Sequence, residues 1–86
     1  MITGSQLRAA RALVRWSARE TAERSGLALT TVQRLEQTDT VPGGRLQTVF
    51  ELQQLFEAAG VEFVGSPDDG PGVRFRKPTA PRVKKG

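Results

Sequence analysis

Apolar residues near the N-terminus recur at intervals of three and four, which is the spacing of one face of a helix. They are Leu7, Ala10, Leu13 and Val14. Thr3 or Ser5 can cap this helix, which we expect to end at about Arg15. The arginines of the segment fall outside the apolar stripe, so the pattern predicts a helix with one buried and one basic face.

The next twenty residues predict two short helices joined at a glycine. Ser17 is followed three residues later by Glu20, which is the spacing of a capping box, where hydroxyl and carboxylate bond the free amides of a helix start. Gly26 allows the left-handed backbone that ends a helix. A third helix is expected from about Leu29 to Gln37, with its apolar side turned inward.

A loop at residues 38–44 precedes a fourth helix, expected from near Gly44 to Gly60. Its apolar residues span about 220° of the helix circumference at about 100° per residue, well beyond the stripe of an ordinary surface helix. They are Leu46, Val49, Phe50, Leu52, Leu55, Phe56 and Ala59. One small core does not cover so wide an arc, so a second surface is predicted, from the C-terminal segment or another subunit.

Residues 61–64 and 73–76 alternate between apolar and polar side chains, and the residues between them are rich in turn formers. This pattern predicts a β-hairpin. Its apolar face would carry Val61, Phe63, Val73 and Phe75. Glu62 could pair with Arg74 or Arg76 on the other face. Because a lone hairpin is marginal in water, this one must pack on the fourth helix, pair with a twofold mate, or both.

Composition narrows the chemistry available to 86 residues. The chain contains neither cysteine nor histidine, so disulfides and thiolate metal sites are excluded. Gly43-Gly44 lacks the Lys-Ser/Thr of a phosphate-binding loop. The acidic residues fall at expected outward positions and turns, where general acid–base catalysis is not favoured. We therefore expect no enzyme, no cofactor, no metal site and no membrane association, and a cytoplasmic location.

Charge is segregated along the chain. Residues 1–34 carry six arginines against two glutamates, whereas residues 35–73 carry one arginine against seven acidic residues. Residues 74–86 carry six basic residues and no acid, and residues 78–86 are expected to be disordered. Basic blocks at both ends favour a polyanionic partner, although solvated surface arginines and lysines would give the same composition.

The hinge glycine, the caps and the small or apolar positions over residues 7–56 together match one known pattern. They are Leu7, Arg11, Trp16, Ser17, Ala22, Glu23, Gly26, Leu27, Thr31, Val32, Arg34, Leu35, Glu36 and Leu46. On these residues the chain resembles the lambda-repressor/Cro-like (XRE-type) helix-turn-helix family. Gly60-Val61-Glu62-Phe63 and Gly70-Pro71-Gly72-Val73 also resemble the hairpin of a set of short bacterial regulators that carry this domain.

The resemblance implies a mainly α fold, in which a four- to five-helix lambda-repressor-like domain of residues 1–60 precedes a C-terminal β-hairpin of residues 61–77. It further implies that the third helix inserts into the major groove of DNA. The hairpin is expected to be a dimerisation element. The candidate dimer residues are Phe50, Leu55, Phe63, Val73 and Phe75, although Phe50 and Leu55 could instead belong to the core.

The base-reading positions of the family fall on Leu29, Thr30, Gln33 and Arg34. Arg34 can bond guanine through two hydrogen bonds, and Gln33 can read adenine. Leu29 or Thr30 can contact a thymine methyl group. The alternative for Arg34 is an ion pair on the protein surface with one of the nearby glutamates, either Glu23 or Glu36.

Candidate contacts to phosphate position the protein without specifying sequence. They are Ser17, Arg19, Thr31 and Arg45. The chain departs from the family at Ala18, where glutamine is frequent, and at Leu29, where a polar reader is frequent. With fewer hydrogen bonds at that end of the site, we expect more reliance on DNA shape.

The resulting function is a sequence-specific DNA-binding transcriptional regulator, a repressor that binds an inverted-repeat operator as a homodimer. One alternative is an antitoxin, in which the hairpin or tail holds a partner toxin and the same fold binds its own operator. Another is a sequence-independent nucleoid or RNA binder driven by the basic blocks, which predicts a steep salt dependence without sequence preference.

Overall fold

A computed structural model describes residues 2–37 and 46–76 of the chain. In order, its elements are α1 (Gly4–Val14), α2 (Ala18–Ser25), α3 (Leu29–Glu36), α4 (Leu46–Ala58), β1 (Val61–Ser66) and β2 (Asp69–Phe75). The described residues thus form four helices followed by an antiparallel hairpin, which confirms the predicted order of elements. The expected loop at 38–44, the phosphate candidate Arg45 and the basic tail of residues 78–86 lie outside the described residues.

Capping hydrogen bonds define where the first two helices begin, but one predicted cap is different. The complete capping box lies on α1, where Thr3 and Gln6 bond each other's backbone amides. On α2, the Ser17 hydroxyl accepts from the Glu20 amide at 2.9 Å as expected. The Glu20 carboxylate accepts from Arg24 instead of closing a box. The predicted box on α2 was therefore wrong, because a charged partner one turn along forms the stronger hydrogen bond.

The connection from α2 to α3 is a short turn at a left-handed glycine, as expected. Gly26 has φ 77° and its amide donates to the Ala22 carbonyl at 2.9 Å. α3 starts after Ala28 without a side-chain cap. Thr21 and Ala22 of α2 are buried, and their small size lets α3 approach closely.

The core lies among the helices and also takes in the first residue of β1. Its buried residues are Ile2, Leu7, Ala10, Leu35, Val49, Leu52, Phe56 and Val61. Phe56 lies near the centre, with its ring 5.4 Å from the stacked ring of Trp16 and 6.5 Å from Phe63. Arg24 covers the outer face of Trp16 at 4.5 Å from the ring centroid. Trp16 is half-buried and packs against the core at the α1–α2 turn.

The hairpin packs on α4 and, more extensively, on α1. The Gln6 side-chain amide donates to the carbonyls of Val64 and Gly72, at 3.1 and 2.8 Å, and so ties both strands to the start of α1. Sequence periodicity did not indicate this contact, since Gln6 is polar yet buried. The hairpin is thereby stabilised within the chain through α1, an element that the sequence did not connect with it.

The strand register matches the predicted two faces. Val61 lies opposite Phe75, and Phe63 opposite Val73. On the other face Glu62 accepts from both predicted arginines. A bulge at Gly65 interrupts the pairing; a Cβ there would lie 2.1 Å from the Gly70 carbonyl oxygen, so only glycine fits.

The wide apolar arc of α4 is only partly covered by the described residues. Val49, Leu52 and Phe56 are buried in the core, and Leu55 packs against it from one side. Leu46 and Phe50 remain 61% and 50% exposed. Among the described residues, no helix combines the length and the apolar character needed to cross a membrane.

Candidate nucleic-acid interface

α3 has one buried and one exposed face. Val32, Leu35 and Glu36 are buried. Thr30, Gln33, Arg34 and the cap residue Gln37 are exposed. At about 100° per residue, these four side chains occupy about 100° of the helix circumference. We call them the exposed face of α3.

An ion pair to α1 holds the buried face of α3 in place. Arg11 Nε lies 3.2 and 2.9 Å from the two carboxylate oxygens of Glu36, and its Nη1 donates to the Trp16 carbonyl at 3.2 Å. Arg8 donates to the Glu36 carbonyl at the end of α3. The orientation of α3 is therefore set by charged contacts as well as by apolar packing.

Arg34 does not form the surface ion pair with a nearby glutamate that was the alternative to base reading. Glu36 is engaged by Arg11, on the opposite side of α3. Within residues 2–37 and 46–76, the side chains of Arg34 and Gln33 form no hydrogen bond or ion pair. Their donors and acceptors thus face solvent, on a helix whose other side is anchored.

The remaining two predicted α3 residues lie at the borders of the exposed face. Leu29 and Thr31 are both half-buried, on opposite sides of it. Leu29 exposes part of an apolar side chain beside Gln33. The structure thus places Leu29, Thr30, Gln33 and Arg34 on one side of α3. Thr31 lies at the border of the exposed face opposite Leu29.

The start of α2 places two predicted phosphate contacts near this edge. Ser17 is exposed, and its oxygen accepts from the Glu20 amide, which leaves the hydroxyl hydrogen to be donated. Arg19 is exposed and makes no ion pair with any residue that the structure describes. The N-terminus of a helix also favours anions through its free amides.

A groove connects the start of α2 with the exposed face of α3. It encloses about 350 Å³. Its lining residues are Arg8, Arg11, Ala18, Gln33, Glu36 and Gln37. Gln37 was missed as a site residue by sequence reasoning, although its position four residues after Gln33 on the same helix was a usable signal.

The five candidate dimer residues divide by exposure. Phe50 and Phe75 are 50% and 55% exposed. Leu55, Phe63 and Val73 are half-buried and pack against the core of their own chain. Phe50 is therefore no core residue, and it lies with Leu46 on one side of α4.

On the outer face of the hairpin, charge is paired. Hydrogen bonding from Arg74 is the main cause that lowers the pKa of Glu62; loss of hydration opposes it, and the positive charges of Arg74 and Arg76 lower the pKa further. In the part of the chain that the structure describes, no three acidic residues come together as a metal site would require.

Comparison with known proteins assigns no partner to these surfaces. No protein-family model matches the chain, and no curated protein sequence matches it. The chemistry of the exposed face of α3 is therefore what indicates a ligand: one guanidinium, two carboxamides and a hydroxyl on an anchored helix.

Proposed function

We propose that the chain is a sequence-specific DNA-binding transcriptional regulator, acting as a repressor, in which α2 and α3 form a helix-turn-helix of the XRE type. The supporting observation is that Arg34 and Gln33 are exposed and have no partner among the described residues, on a helix anchored through Arg11 and Glu36. Buried polar anchoring on one side and unpaired donors on the other are what a rigid reading element requires.

The dimensions of α3 suit the major groove. With its side chains an α-helix is about 10–12 Å in diameter, and the groove is about 12 Å wide. Arg34 would bond guanine and Gln33 adenine, with Thr30 or Leu29 against a thymine methyl group. Ser17 and the amides at the start of α2 would contact the backbone of the same half-site.

The active species in this proposal is a homodimer on an inverted repeat. Two copies of α3 would lie in successive major grooves, with half-sites about 34 Å apart. The exposed Phe50 and Phe75 provide apolar surface for the association. We further propose that the protein works in the cytoplasm, on chromosomal DNA.

Selection of bound sequences from a random double-stranded DNA pool, with the full chain at about 150 mM salt, tests the proposal. We expect an enriched sequence with twofold symmetry whose half-site contains a G·C pair. Equal binding to the enriched site and to a scrambled duplex would contradict it and favour the sequence-independent binder.

A native pull-down followed by light scattering addresses the antitoxin alternative. The proposed repressor is expected to run as a dimer of this chain without a second protein. A stoichiometric second protein would favour an antitoxin, whether or not the chain also binds its operator.

A further inference from the structure

The outer edge of β2 carries backbone groups that the hairpin itself does not use. In an antiparallel pair, residues that bond the partner strand alternate with residues whose N–H and C=O groups point away from it. The Arg76 amide donates to the Gly60 carbonyl, so the next residue of β2 that bonds β1 is Arg74. The N–H and C=O groups of Val73 and Phe75 therefore point away from β1. None of them has a hydrogen-bonding partner among the described residues.

Of the two edges of the hairpin, that of β2 is the more accessible. Val61 is buried and β1 packs against α4. On β2, Arg74 is exposed and Phe75 is 55% exposed. Gln6 of α1 donates to carbonyls that point between the two strands, so it lies over a face of the hairpin and not beside the β2 edge. An exposed strand edge with free donors and acceptors can take up one more strand.

A second copy of β2 fits this edge poorly. Antiparallel pairing must set the outward groups of Val73 and Phe75 against those of the other copy. Val73 opposite Phe75 brings the two Arg74 side chains together, and Phe75 opposite Phe75 brings Arg74 against Arg76. Like charges directly opposite each other destabilise a sheet. The remaining register, with Val73 opposite Val73, sets Phe75 against Pro71, which has no N–H to donate.

The charge on the outer face of the hairpin indicates the chemistry of a strand that fits. Arg74 and Arg76 both donate to the same carboxylate oxygen of Glu62. Two guanidinium groups thus share one negative charge, and their side chains are 66% and 64% exposed. Because Glu62 lies on β1, both arginines lack a counter-charge on the side away from β1, as far as the described residues show. Carboxylates on an added strand would pair with them there.

We propose that the outer edge of β2 binds an extended segment of a partner protein in which acidic and apolar side chains alternate. The backbone of this segment bonds the outward N–H and C=O groups of Val73 and Phe75. Its carboxylates face Arg74 and Arg76, and its apolar side chains lie beside Phe75 on the other face. The proposal goes beyond the proposed function, since it involves neither the DNA contacts of α3 nor Phe50 on α4.

A synthetic peptide tests this interaction on the full chain. The probe alternates glutamate and valine over the length of β2, and the control peptide has lysine in place of each glutamate. We expect only the glutamate peptide to bind and to slow the hydrogen exchange of the Val73 and Phe75 amides, measured by NMR. Exchange of the Arg74 amide, which already bonds β1, should change less. Phe75→Pro removes one outward donor, which a strand edge tolerates, and should abolish binding.

Arg76→Gln and Gln54→Glu separate a local charge effect from an overall one. Both lower the net charge equally, but Gln54 is exposed on α4, away from the hairpin. We expect the glutamate peptide to bind Arg76→Gln about two- to fivefold more weakly than wild type, and Gln54→Glu as tightly as wild type. Absence of binding, equal binding of both peptides, or equal losses in both variants would overturn the proposal. So would protection of the Val73 and Phe75 amides that rises with protein concentration in the absence of peptide, because a second copy would then occupy the edge.

Discussion

Arg34 and Glu36 lie two residues apart on α3 and meet opposite environments. Glu36 is buried and paired with Arg11 of α1, whereas Arg34 is exposed and has no partner among the described residues. The two side chains differ by about 200° around the helix axis, so they cannot pair with each other. At this scale the structure separates a residue that holds α3 from one that is available to a ligand.

Replacing Arg34 with alanine tests whether this residue is available to read DNA bases. We expect the preference for the enriched DNA site to fall by about 1–3 kcal/mol, while thermal unfolding is nearly unchanged because surface changes usually cost under about 0.5 kcal/mol. Anisotropy titrations on matched and single-base-variant duplexes measure the preference. Arg74→Ala, on the hairpin, is the control, and an unchanged base preference in Arg34→Ala would refute the reading role.

Replacing Glu36 with alanine tests whether this residue holds α3 in place. Loss of one partner leaves Arg11 with its main counter-charge removed, and the cost for buried pairs is about 3–5 kcal/mol. We expect the lower end of that range, since the Arg11 side chain is 28% exposed. Urea unfolding measures the change against Glu23→Ala, an exposed glutamate. Equal stability of the two variants would show that the pair does not hold α3.

The hairpin is the element whose place in the fold was least evident from the sequence. Its apolar face and its charged face follow the predicted alternation. Its attachment to α1 depends on Gln6, which bonds one carbonyl on each strand as well as completing the α1 cap. A single buried carboxamide therefore couples a helix start to a sheet more than fifty residues away.

Gln6→Ala should loosen both structures that the carboxamide joins. Two strand carbonyls lose their donor and the capping box is lost, for a combined destabilisation of about 1–3 kcal/mol. Hydrogen exchange of the β1 and β2 amides should accelerate more than exchange in α3. Gln54→Ala, at an exposed position, provides the comparison, and uniform exchange throughout the chain in Gln6→Ala would contradict the coupling.

The contribution of the hairpin's outer face to stability should depend on pH in the acid range. Because the pKa of Glu62 is lowered in the folded chain, its ion pairs stabilise the fold above the unfolded pKa of about 4.3. That contribution is lost as the pH falls through the lower folded value. An NMR titration should show that Arg74→Ala raises the Glu62 pKa. An unshifted Glu62 would exclude Arg74 as the cause.

On the scale of the whole molecule, α3 and α4 expose different chemistry. The exposed face of α3 and the start of α2 carry the unpaired donors, while Leu46 and Phe50 lie exposed on α4. α4 contributes no basic side chain within its described length. This difference in chemistry is the basis for proposing α3 as the surface for a polyanion and α4 as the surface for a second copy of the chain.

Phe50→Ser tests the proposed association. Because Phe50 is half exposed, its loss should leave the fold intact while the proposed dimer dissociates at lower concentration, by about tenfold or more for a contact worth at least 1.4 kcal/mol. Sedimentation equilibrium measures the constant, with Gln54→Ser as control. A dimer of unchanged strength would place the interface elsewhere, and a monomeric wild-type chain would remove the homodimer from the proposal.

The sequence pattern within short segments was sufficient to predict much of this fold. Four features were predictable: the order of the elements, the left-handed turn at Gly26, the two faces of the hairpin and the pairing of Glu62. Each depends on residues that are a few positions apart or that lie opposite each other in a simple strand register. The family resemblance gave four positions of α3 as base readers, and helical spacing puts them on one side of that helix. Their roles on DNA remain predictions.

The tertiary structure decided the contacts between residues distant in the chain. The way the helices cross determines which part of the α4 arc is buried and which arginine pairs with Glu36. It also determines which carbonyls accept from the Gln6 side-chain amide. Packing also determines what surrounds Gln37, which lines a groove formed by α1, α2 and α3. Periodicity states which side of a helix is apolar; only packing determines which partner lies against it.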